Sequence, residues 1–92
     1  MWTIRLTKQS AKELDKSPKE IHIAFEAWRH IVEASGPDAV RLINGYWDHA
    51  LKGEWAGSRA SSLNESWRVI YVVGRSVVTV SLVRISHHDY RR

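Results

Sequence analysis

The sequence predicts a small α+β domain in which helices pack on one face of a mostly antiparallel sheet, in the element order β-α-α-β-β-β. Two observations lead to this fold class. Apolar residues recur at helical spacing in the first half of the chain, and β-branched and aromatic runs separated by turns fill the second half. The chain has 92 residues without repeats or linkers, so we expect residues 1–92 to form a single domain around one modest core.

The first half of the chain predicts one strand and two helices, with a weaker third helical pattern. Apolar and polar residues alternate over residues 2–7, which is the period of a short half-buried strand. Residues 8–16 have the pattern of a short polar helix. The third helical pattern covers residues 38–51, although an Asn-Gly pair interrupts it.

The second helix has the clearest boundaries. Its start is predicted at Pro18, because residues 17–20 read Ser-Pro-Lys-Glu, a capping box with proline at the first helical position. Gly36 and Pro37 end it, since glycine supplies a left-handed cap and proline cannot continue a helix. Its predicted apolar face consists of Ile21, Ala24, Phe25, Trp28, Ile31 and Val32.

The second half predicts a three-stranded meander over residues 59–63, 67–73 and 77–85. On the last strand, alternate residues are expected to share one face of the sheet. The apolar members should pack under the helices and the polar members should reach the strand end: Val78, Val80 and Leu82, followed by Arg84, Ser86 and His88.

Four of the five tryptophans are predicted to be core residues, because each falls on an apolar stripe or strand: Trp2, Trp28, Trp47 and Trp67. Trp55 lies in a loop between two glycines and is the tryptophan that we expect to be exposed.

Charge and composition narrow the function classes. The formal net charge is +4, and six of the seven cations in residues 47–92 are arginines, whose planar donors match phosphate. This distribution favours an anionic partner, most simply nucleic acid, over a basic surface that serves only solubility. The absence of cysteine excludes disulfides, cysteine-ligated zinc and thiol chemistry. We find neither a membrane-length apolar run nor a signal-peptide pattern, and therefore expect a cytoplasmic protein.

One constellation of residues could act on a phosphodiester. If the last hairpin turns at residues 74–76, Arg68 lies near Arg84 and near the segment 87–90, which carries histidine and tyrosine. Arginines can hold a phosphate and its developing charge, and an imidazole can transfer a proton near neutral pH. The alternative is that Arg68 and Arg84 form surface ion pairs with Glu65 and Asp89.

A metal site is not expected. His87, His88 and Asp89 are adjacent, so on a strand their side chains alternate between faces, and no further ligand has a suitable spacing. We therefore expect no metal and no other cofactor.

Three segments closely resemble the RelE superfamily of bacterial toxins, in particular its YafQ and HigB branches. The first, residues 48–59, contains a D-H-x-L element like that of YafQ and the sequence L-K-G. The second, residues 63–71, contains N-x-x-W-R like HigB, and the third is His88-Asp89-Tyr90. The resemblance is detailed over residues 46–92, whereas the first half matches only in element order.

The resemblance implies the RelE-like fold and the toxin of a type II toxin–antitoxin system. Such toxins are mRNA endoribonucleases that typically cut in the A site of the 70S ribosome and are neutralised by a cognate antitoxin in a hetero-oligomer. Their chemistry is metal-free: the 2′-hydroxyl attacks the adjacent phosphate, which leaves a 2′,3′-cyclic phosphate and a 5′-hydroxyl.

Residue by residue, the resemblance implies that Arg68 and Arg84 stabilise charge and that Tyr90 positions the nucleotide. It implies that His88 acts as the general base or the general acid and that His49 carries out the other of these two proton transfers. The remaining RNA-binding candidates are Lys52, Arg59, His87, Asp89, Arg91 and Arg92.

The chain also departs from these patterns. HigB-like chains end D-Y-H, whereas Arg91 follows Tyr90 here, and serines replace the histidine and aspartate that precede the tryptophan in YafQ-like chains. The identity of the general base therefore stays open. Tyr90 could instead anchor the carboxy terminus on the sheet, and His49 could complement a helix dipole.

Two other function classes are compatible with the resemblance. ParE-type toxins share the fold but bind DNA gyrase and cleave nothing, although they generally lack the terminal histidine and tyrosine. A plain interaction domain would use its basic face only to bind an antitoxin or RNA.

Overall fold

A computed structural model describes the backbone of residues 1–85 and the side chains of residues 1–84. Within these residues three helices pack on one face of a five-stranded sheet. The helices are α1 (Lys8–Asp15), α2 (Lys19–Ser35) and α3 (Pro37–Arg41), and the strands are β1 (Thr3–Leu6), β2 (His49–Ala50), β3 (Arg59–Ser62), β4 (Trp67–Val73) and β5 (Val77–Ile85). The strand order is β1-β5-β4-β3-β2, with β1 parallel to β5 and the other neighbours antiparallel. The predicted α+β class and the packing of helices on one face are confirmed.

The main core lies between α2 and the sheet. The predicted apolar face of α2 is buried at helical spacing, with Trp28 stacked on Phe25 and its ring 5.7 Å from that ring. Trp28 also meets the edge of Tyr71 on β4 at 5.3 Å, which joins the helix to the centre of the sheet. The buried members of this core are Ile21, Phe25, Trp28, Val32, Val40, Val69, Tyr71, Val78, Val80 and Val83.

The predicted capping box of the second helix is wrong. Helix α2 begins at Lys19 with Pro18 as the capping residue, and no side chain caps it. The hydroxyl of Ser17 instead donates to the carbonyl of Leu14 at 2.6 Å, at the end of α1. Because the turn between the two helices is short, the hydroxyl of Ser17 bonds to a free carbonyl at the end of α1 and does not cap the first N–H groups of α2.

The predicted third helix is much shorter than its apolar pattern indicates. It ends at Arg41, a 3-10 turn follows over Asn44–Tyr46, and Trp47 adopts left-handed backbone angles. His49–Ala50 then forms β2 at the sheet edge, so the alternative in which His49 complements a helix dipole is wrong. An Asn-Gly pair favours a turn over a helix, and the residues after it find sheet partners.

A β-bulge in β5 divides the predicted single face of that strand. Ile70 pairs with Leu82 but Tyr71 pairs with Val80, so Ser81 has no partner across the strand. Val78 and Val80 therefore face the helices, whereas Leu82 packs on the opposite face with Leu51, Ala60 and Ile70. The expectation that Leu82 packs under the helices is wrong. We call the side of the sheet opposite the helices the far face.

Helix α1 satisfies the backbone at this bulge. The buried hydroxyl of Ser10 donates to the carbonyl of Val80 at 2.7 Å, and Thr7 Oγ1 donates to the carbonyl of Ser81 at 3.0 Å. Beyond the bulge, Glu13 accepts the backbone N–H of Val83 at 2.8 Å. The bulge therefore directs Arg84, two residues after Leu82, onto the far face.

The tryptophan predictions are only partly correct. Trp28 is fully buried, and Trp2 and Trp67 are half-buried against the main core. Trp47 is 68% exposed, so its assignment to the core is wrong. Trp55, expected to be exposed, is half-buried on the far face against the cluster that contains Ile70.

Candidate nucleic-acid interface

Two arginines lie side by side on the far face. Arg68 on β4 and Arg84 on β5 are direct partners in the antiparallel ladder, beyond the row formed by Ile70 and Leu82. Directly opposed residues in such a pair have Cβ atoms roughly 5 Å apart. The predicted proximity of Arg68 and Arg84 is confirmed, and it places two cationic side chains next to each other on the far face.

Backbone carbonyls at the turn between β3 and β4 bind the guanidinium of Arg68. Only 4% of the residue is exposed. Its Nη1 donates to the carbonyls of Asn64 at 3.0 Å, Trp67 at 3.2 Å and Glu65 at 3.4 Å. Among residues 1–84 it forms no ion pair, so the alternative that Arg68 pairs with the carboxylate of Glu65 is wrong. Backbone carbonyls fix the guanidinium without neutralising its charge.

Arg84 is oriented by an aromatic ring. Its guanidinium carbon stands 5.9 Å from the centre of the Trp55 ring, which is cation–π distance. Trp55 belongs to the 3-10 turn Gly53–Trp55 and is half-buried on the far face. A loop that follows β2 thus reaches across the sheet and positions the second arginine.

A cleft of about 490 Å³ opens beside Arg68. It lies between the segment that precedes β2 and the turn that connects β3 to β4. Its lining combines a buried guanidinium, an exposed indole, amides, a hydroxyl and one carboxylate: Asn44, Gly45, Trp47, Ser62, Asn64, Glu65 and Arg68. A volume of this size accommodates a small ligand or a single nucleotide.

His49 lies on the same face as the arginines but not next to them. It pairs with Ala60 in the row that contains Ile70, two strands away from β4 and therefore roughly 10 Å from that strand. Its Nδ1 is 2.9 Å from the carbonyl of Trp47. Because a carbonyl can only accept, Nδ1 is the donor in this contact, and Nε2 is the ring nitrogen that takes no part in it.

Arg59 is directed away from the arginine pair. It is the ladder partner of Tyr71, whose ring belongs to the main core, and its Nε donates to Oδ1 of Asp48 at 2.6 Å. Burial lowers the pKa of Arg59, but the hydrogen bond and the charge of Asp48 raise it by more, so the net shift is upward. The guanidinium of Arg59 therefore forms an internal ion pair with Asp48.

Asp48 binds three side chains at the edge of the sheet. Besides Arg59, its buried carboxylate accepts from the hydroxyls of Ser61 and Tyr71. Burial raises the pKa of Tyr71, and the hydrogen bond to Asp48 raises it further. The sequence interpretation missed this cluster. The available signal was Tyr71 itself, a phenol within an apolar central strand that needs a hydrogen-bond partner when buried.

The other predicted site residues divide into two groups. Lys52 lies within the described residues, two positions after the end of β2, and its side chain is exposed. The remaining candidates lie outside the described residues: His87, His88, Asp89, Tyr90, Arg91 and Arg92.

The part of the chain that the structure describes contains neither a metal-binding cluster nor a membrane-spanning helix. We find no group of three His, Asp or Glu side chains there that could hold a metal ion. No helix in that part is long and apolar enough to cross a membrane.

Comparison with known proteins identifies the fold. No protein-family model matches the sequence, and no curated protein matches it. Among solved structures, YafQ from E. coli strain BL21(DE3) matches with a TM-score of 0.78 and 17% identity, covering 94% of each chain. The E. coli DinJ–YafQ toxin–antitoxin complex matches with a TM-score of 0.73 and 19% identity over 91% of each chain. The YoeB–YefM complex from Staphylococcus aureus matches at 0.73 and 13%, covering 95% of this chain and 99% of that one.

The chain therefore has the fold of RelE-type toxins. Within that class, YafQ matches over nearly the whole of both chains. The expected RelE-like fold is confirmed, including the first half of the chain, where the sequence resemblance was limited to element order.

Proposed function

We propose that this protein is the toxin of a type II toxin–antitoxin system and a metal-free endoribonuclease that cleaves mRNA in the ribosomal A site, in the cytoplasm. The observation that carries the proposal is the pairing of Arg68 with Arg84 across β4 and β5 on the far face. The fold shared with YafQ supports the toxin class. A cognate antitoxin is proposed as the neutralising partner, because a structure of the same fold is an E. coli toxin–antitoxin complex.

The arginine pair is best explained by an anionic ligand. Like charges directly opposed in a sheet are destabilising, and no carboxylate among residues 1–84 forms an ion pair with Arg68 or Arg84. A phosphodiester placed between the guanidiniums would turn this repulsion into two charge-assisted hydrogen-bonded contacts. The same geometry favours the transition state, in which additional negative charge develops on the phosphoryl oxygens.

The reaction requires two proton transfers and no redox step. A base removes the proton of the 2′-hydroxyl, the 2′-oxygen bonds to phosphorus, and the bond from phosphorus to the 5′-oxygen breaks. An acid protonates that oxygen, so the products are a 2′,3′-cyclic phosphate and a 5′-hydroxyl. We assign one of these transfers to His88 and the other to His49, whose Nε2 takes no part in its Nδ1 contact, and the placement of the nucleotide to Tyr90.

The substrate surface extends beyond the reacting phosphate. Lys52, His87, Asp89, Arg91 and Arg92 are proposed to contact mRNA and the 70S ribosome. Arg59 is left out of this set because its guanidinium is bound to Asp48.

The test is cleavage of mRNA on programmed 70S ribosomes by the purified protein, which is treated with EDTA and dialysed before it is added because the ribosome itself requires Mg²⁺. We expect cuts within the A-site codon and products that end in a 2′,3′-cyclic phosphate. Arg84→Gln should lower the cleavage rate on the order of 100-fold, the typical loss when one charge-stabilising donor is removed. Arg75→Gln is the matched control, because Arg75 is an exposed arginine in the turn between β4 and β5.

Equal activity of Arg84→Gln and the wild type would overturn the assignment of the arginine pair. Intact mRNA on ribosomes and as free RNA, together with inhibition of gyrase, would overturn the nuclease proposal in favour of a ParE-like toxin.

A further inference from the structure

Trp47 combines solvent exposure with an unfavourable backbone conformation. The residue is 68% exposed, and its φ of 49° and ψ of 41° place it in the left-handed region, which is uncommon for a bulky residue. Such conformations are unfavourable and persist only where the surroundings enforce them. Here the backbone N–H of Trp47 bonds to the carbonyl of Asn44, and the adjacent Asp48 is buried. The fold therefore maintains an indole on the surface at a cost in free energy.

The exposed indole belongs to the same cleft as the buried arginine. Trp47 and Arg68 both line the 490 Å³ cleft, one from the segment before β2 and the other from β4. An aromatic face binds a nucleobase by stacking, and a guanidinium binds phosphate. The two groups thus match the two chemically different parts of one nucleotide.

We propose that Trp47 is a stacking platform for a nucleobase of single-stranded RNA, and that the cleft between Trp47 and Arg68 holds one nucleotide of the substrate. This inference rests on the proposed function, for which it defines a base-binding subsite. RNA fits better than a peptide, because the cleft pairs the indole with a cation in a chain of net charge +4.

The cleft also contains groups that can contact the edge of the base. Asn64 Oδ1 accepts the backbone N–H groups of Ser66 and Trp67, each at 2.8 Å, so its amide Nδ2 is the group that remains for a ligand. Glu65 contributes a carboxylate, which repels phosphate but accepts hydrogen bonds from the amino groups of bases. The base is therefore expected near Glu65 and the phosphate near Arg68.

The stacking residue is joined directly to a candidate proton-transfer residue. The carbonyl of Trp47 accepts the Nδ1 proton of His49 at 2.9 Å. A base stacked on the indole would therefore hold the chain segment that orients the imidazole. Binding of the nucleotide and positioning of His49 are coupled through two residues of one short segment.

The test measures binding separately from cleavage. A labelled single-stranded RNA with a 2′-O-methyl group on every ribose cannot undergo 2′-hydroxyl attack, and its affinity is read by fluorescence anisotropy. Trp47→Ala should weaken binding by roughly 10-fold, within the range for loss of one base–aromatic stack, and Trp47→Phe should retain most of the affinity. Leu42→Ala is the matched control, because Leu42 is an 84% exposed apolar residue that does not line the cleft.

Abasic substitution identifies the stacked base. In the wild type, one abasic position in the oligonucleotide should cause a loss comparable to that of Trp47→Ala, and in Trp47→Ala the same position should cause no additional loss. Equal affinities of Trp47→Ala and the wild type, with cleavage of mRNA retained, would overturn the subsite and leave the proposed function standing. A wild-type protein that neither binds nor cleaves RNA would overturn both. Unchanged circular dichroism and melting temperature confirm that each variant is folded.

Discussion

Asp48 and Arg59 form an ion pair of 2.6 Å that joins β3 to the residue before β2, with the carboxylate completely buried and the guanidinium half-buried. Two hydroxyls, of Ser61 and Tyr71, complete the hydrogen bonding of Asp48. Because Asp48 lies between Trp47 and His49, the cluster fixes the segment that carries both residues proposed to act on RNA. A structural ion pair at the sheet edge thus supports the proposed RNA-binding surface on the far face.

Replacing Asp48 by alanine should destabilise the fold by about 3 kcal/mol, because removing one partner of a buried pair leaves the other charge uncompensated. The free energy of unfolding from urea denaturation measures this loss. Asp38→Ala is the matched control: Asp38 pairs with Arg41 at 3.3 Å on the exposed surface of α3, and its loss should cost under about 0.5 kcal/mol. Similar losses for both variants would show that the buried pair has no special role.

Tyr71 should make stability depend on alkaline pH. Its pKa is raised above the ordinary value of 10.0 by burial and by the hydrogen bond to Asp48. Above pH 10 the unfolded chain loses the phenolic proton while the folded chain keeps it, so the free energy of unfolding falls as pH rises. The slope for one such proton is about 1.4 kcal/mol per pH unit. Stability is therefore fully present below pH 10 and decreases above it.

Tyr71→Phe tests this dependence. At neutral pH it should cost about 1.5 kcal/mol through the lost hydrogen bond to a carboxylate. Between pH 10 and 12 its slope should be smaller than that of the wild type by about one proton. The wild type and the variant share every other alkaline group, including Tyr46, whose pKa is also raised by burial, so the difference between their slopes reports Tyr71. Urea denaturation across this range measures both slopes, and identical slopes would contradict the assignment to Tyr71.

The features that were predictable from sequence are those determined by neighbours along the chain. The apolar face of α2 follows from a helical period sustained over several turns, and the proximity of Arg68 to Arg84 follows from the turn at residues 74–76. Both depend on residues no more than sixteen positions apart. Local propensity and turn geometry are sufficient in such cases.

The features that were missed depend on side-chain partners that local patterns and turns do not specify. The bulge at Ser81 exists where Ser10 and Thr7, some seventy residues earlier, satisfy the carbonyls of the bulged strand. Strand β2 forms because Asp48 finds Arg59, Ser61 and Tyr71, none of which affects the helical periodicity of residues 38–51. That periodicity predicts a buried Trp47. The residue is exposed because residues 44–50 form a 3-10 turn and a strand instead of a helix.

Gly36 should not tolerate a side chain. Its φ of 85° and ψ of 167° lie in a region open essentially only to glycine, and an added Cβ would stand 2.8 Å from Nε1 of Trp2. Gly36→Ala should lower the free energy of unfolding by about 2 kcal/mol, since the backbone and the indole must both adjust. Gly45→Ala is the control, because no atom lies within 4 Å of its added Cβ. Comparable melting temperatures of the two variants would contradict this explanation.

The arginine pair predicts that stability and RNA affinity respond differently to Arg84→Gln. The substitution removes the repulsion from Arg68, together with the cation–π contact to Trp55. Each effect amounts to roughly 0.5 kcal/mol, so the free energy of unfolding should change little. A guanidinium that neutralises an RNA phosphate also releases counterions, and its removal should reduce the salt dependence of binding, d log K/d log[salt], by about 0.7 in magnitude.

Anisotropy titrations with single-stranded RNA at several salt concentrations measure this slope, and urea denaturation measures the stability. Arg75→Gln provides the comparison, because it removes the same charge from the exposed turn that begins β5, at the opposite end of β4 from Arg68. We expect its salt dependence to equal that of the wild type. If both variants reduce the slope equally, the RNA responds to net charge alone, and the pairing of Arg68 with Arg84 does not form the phosphate site.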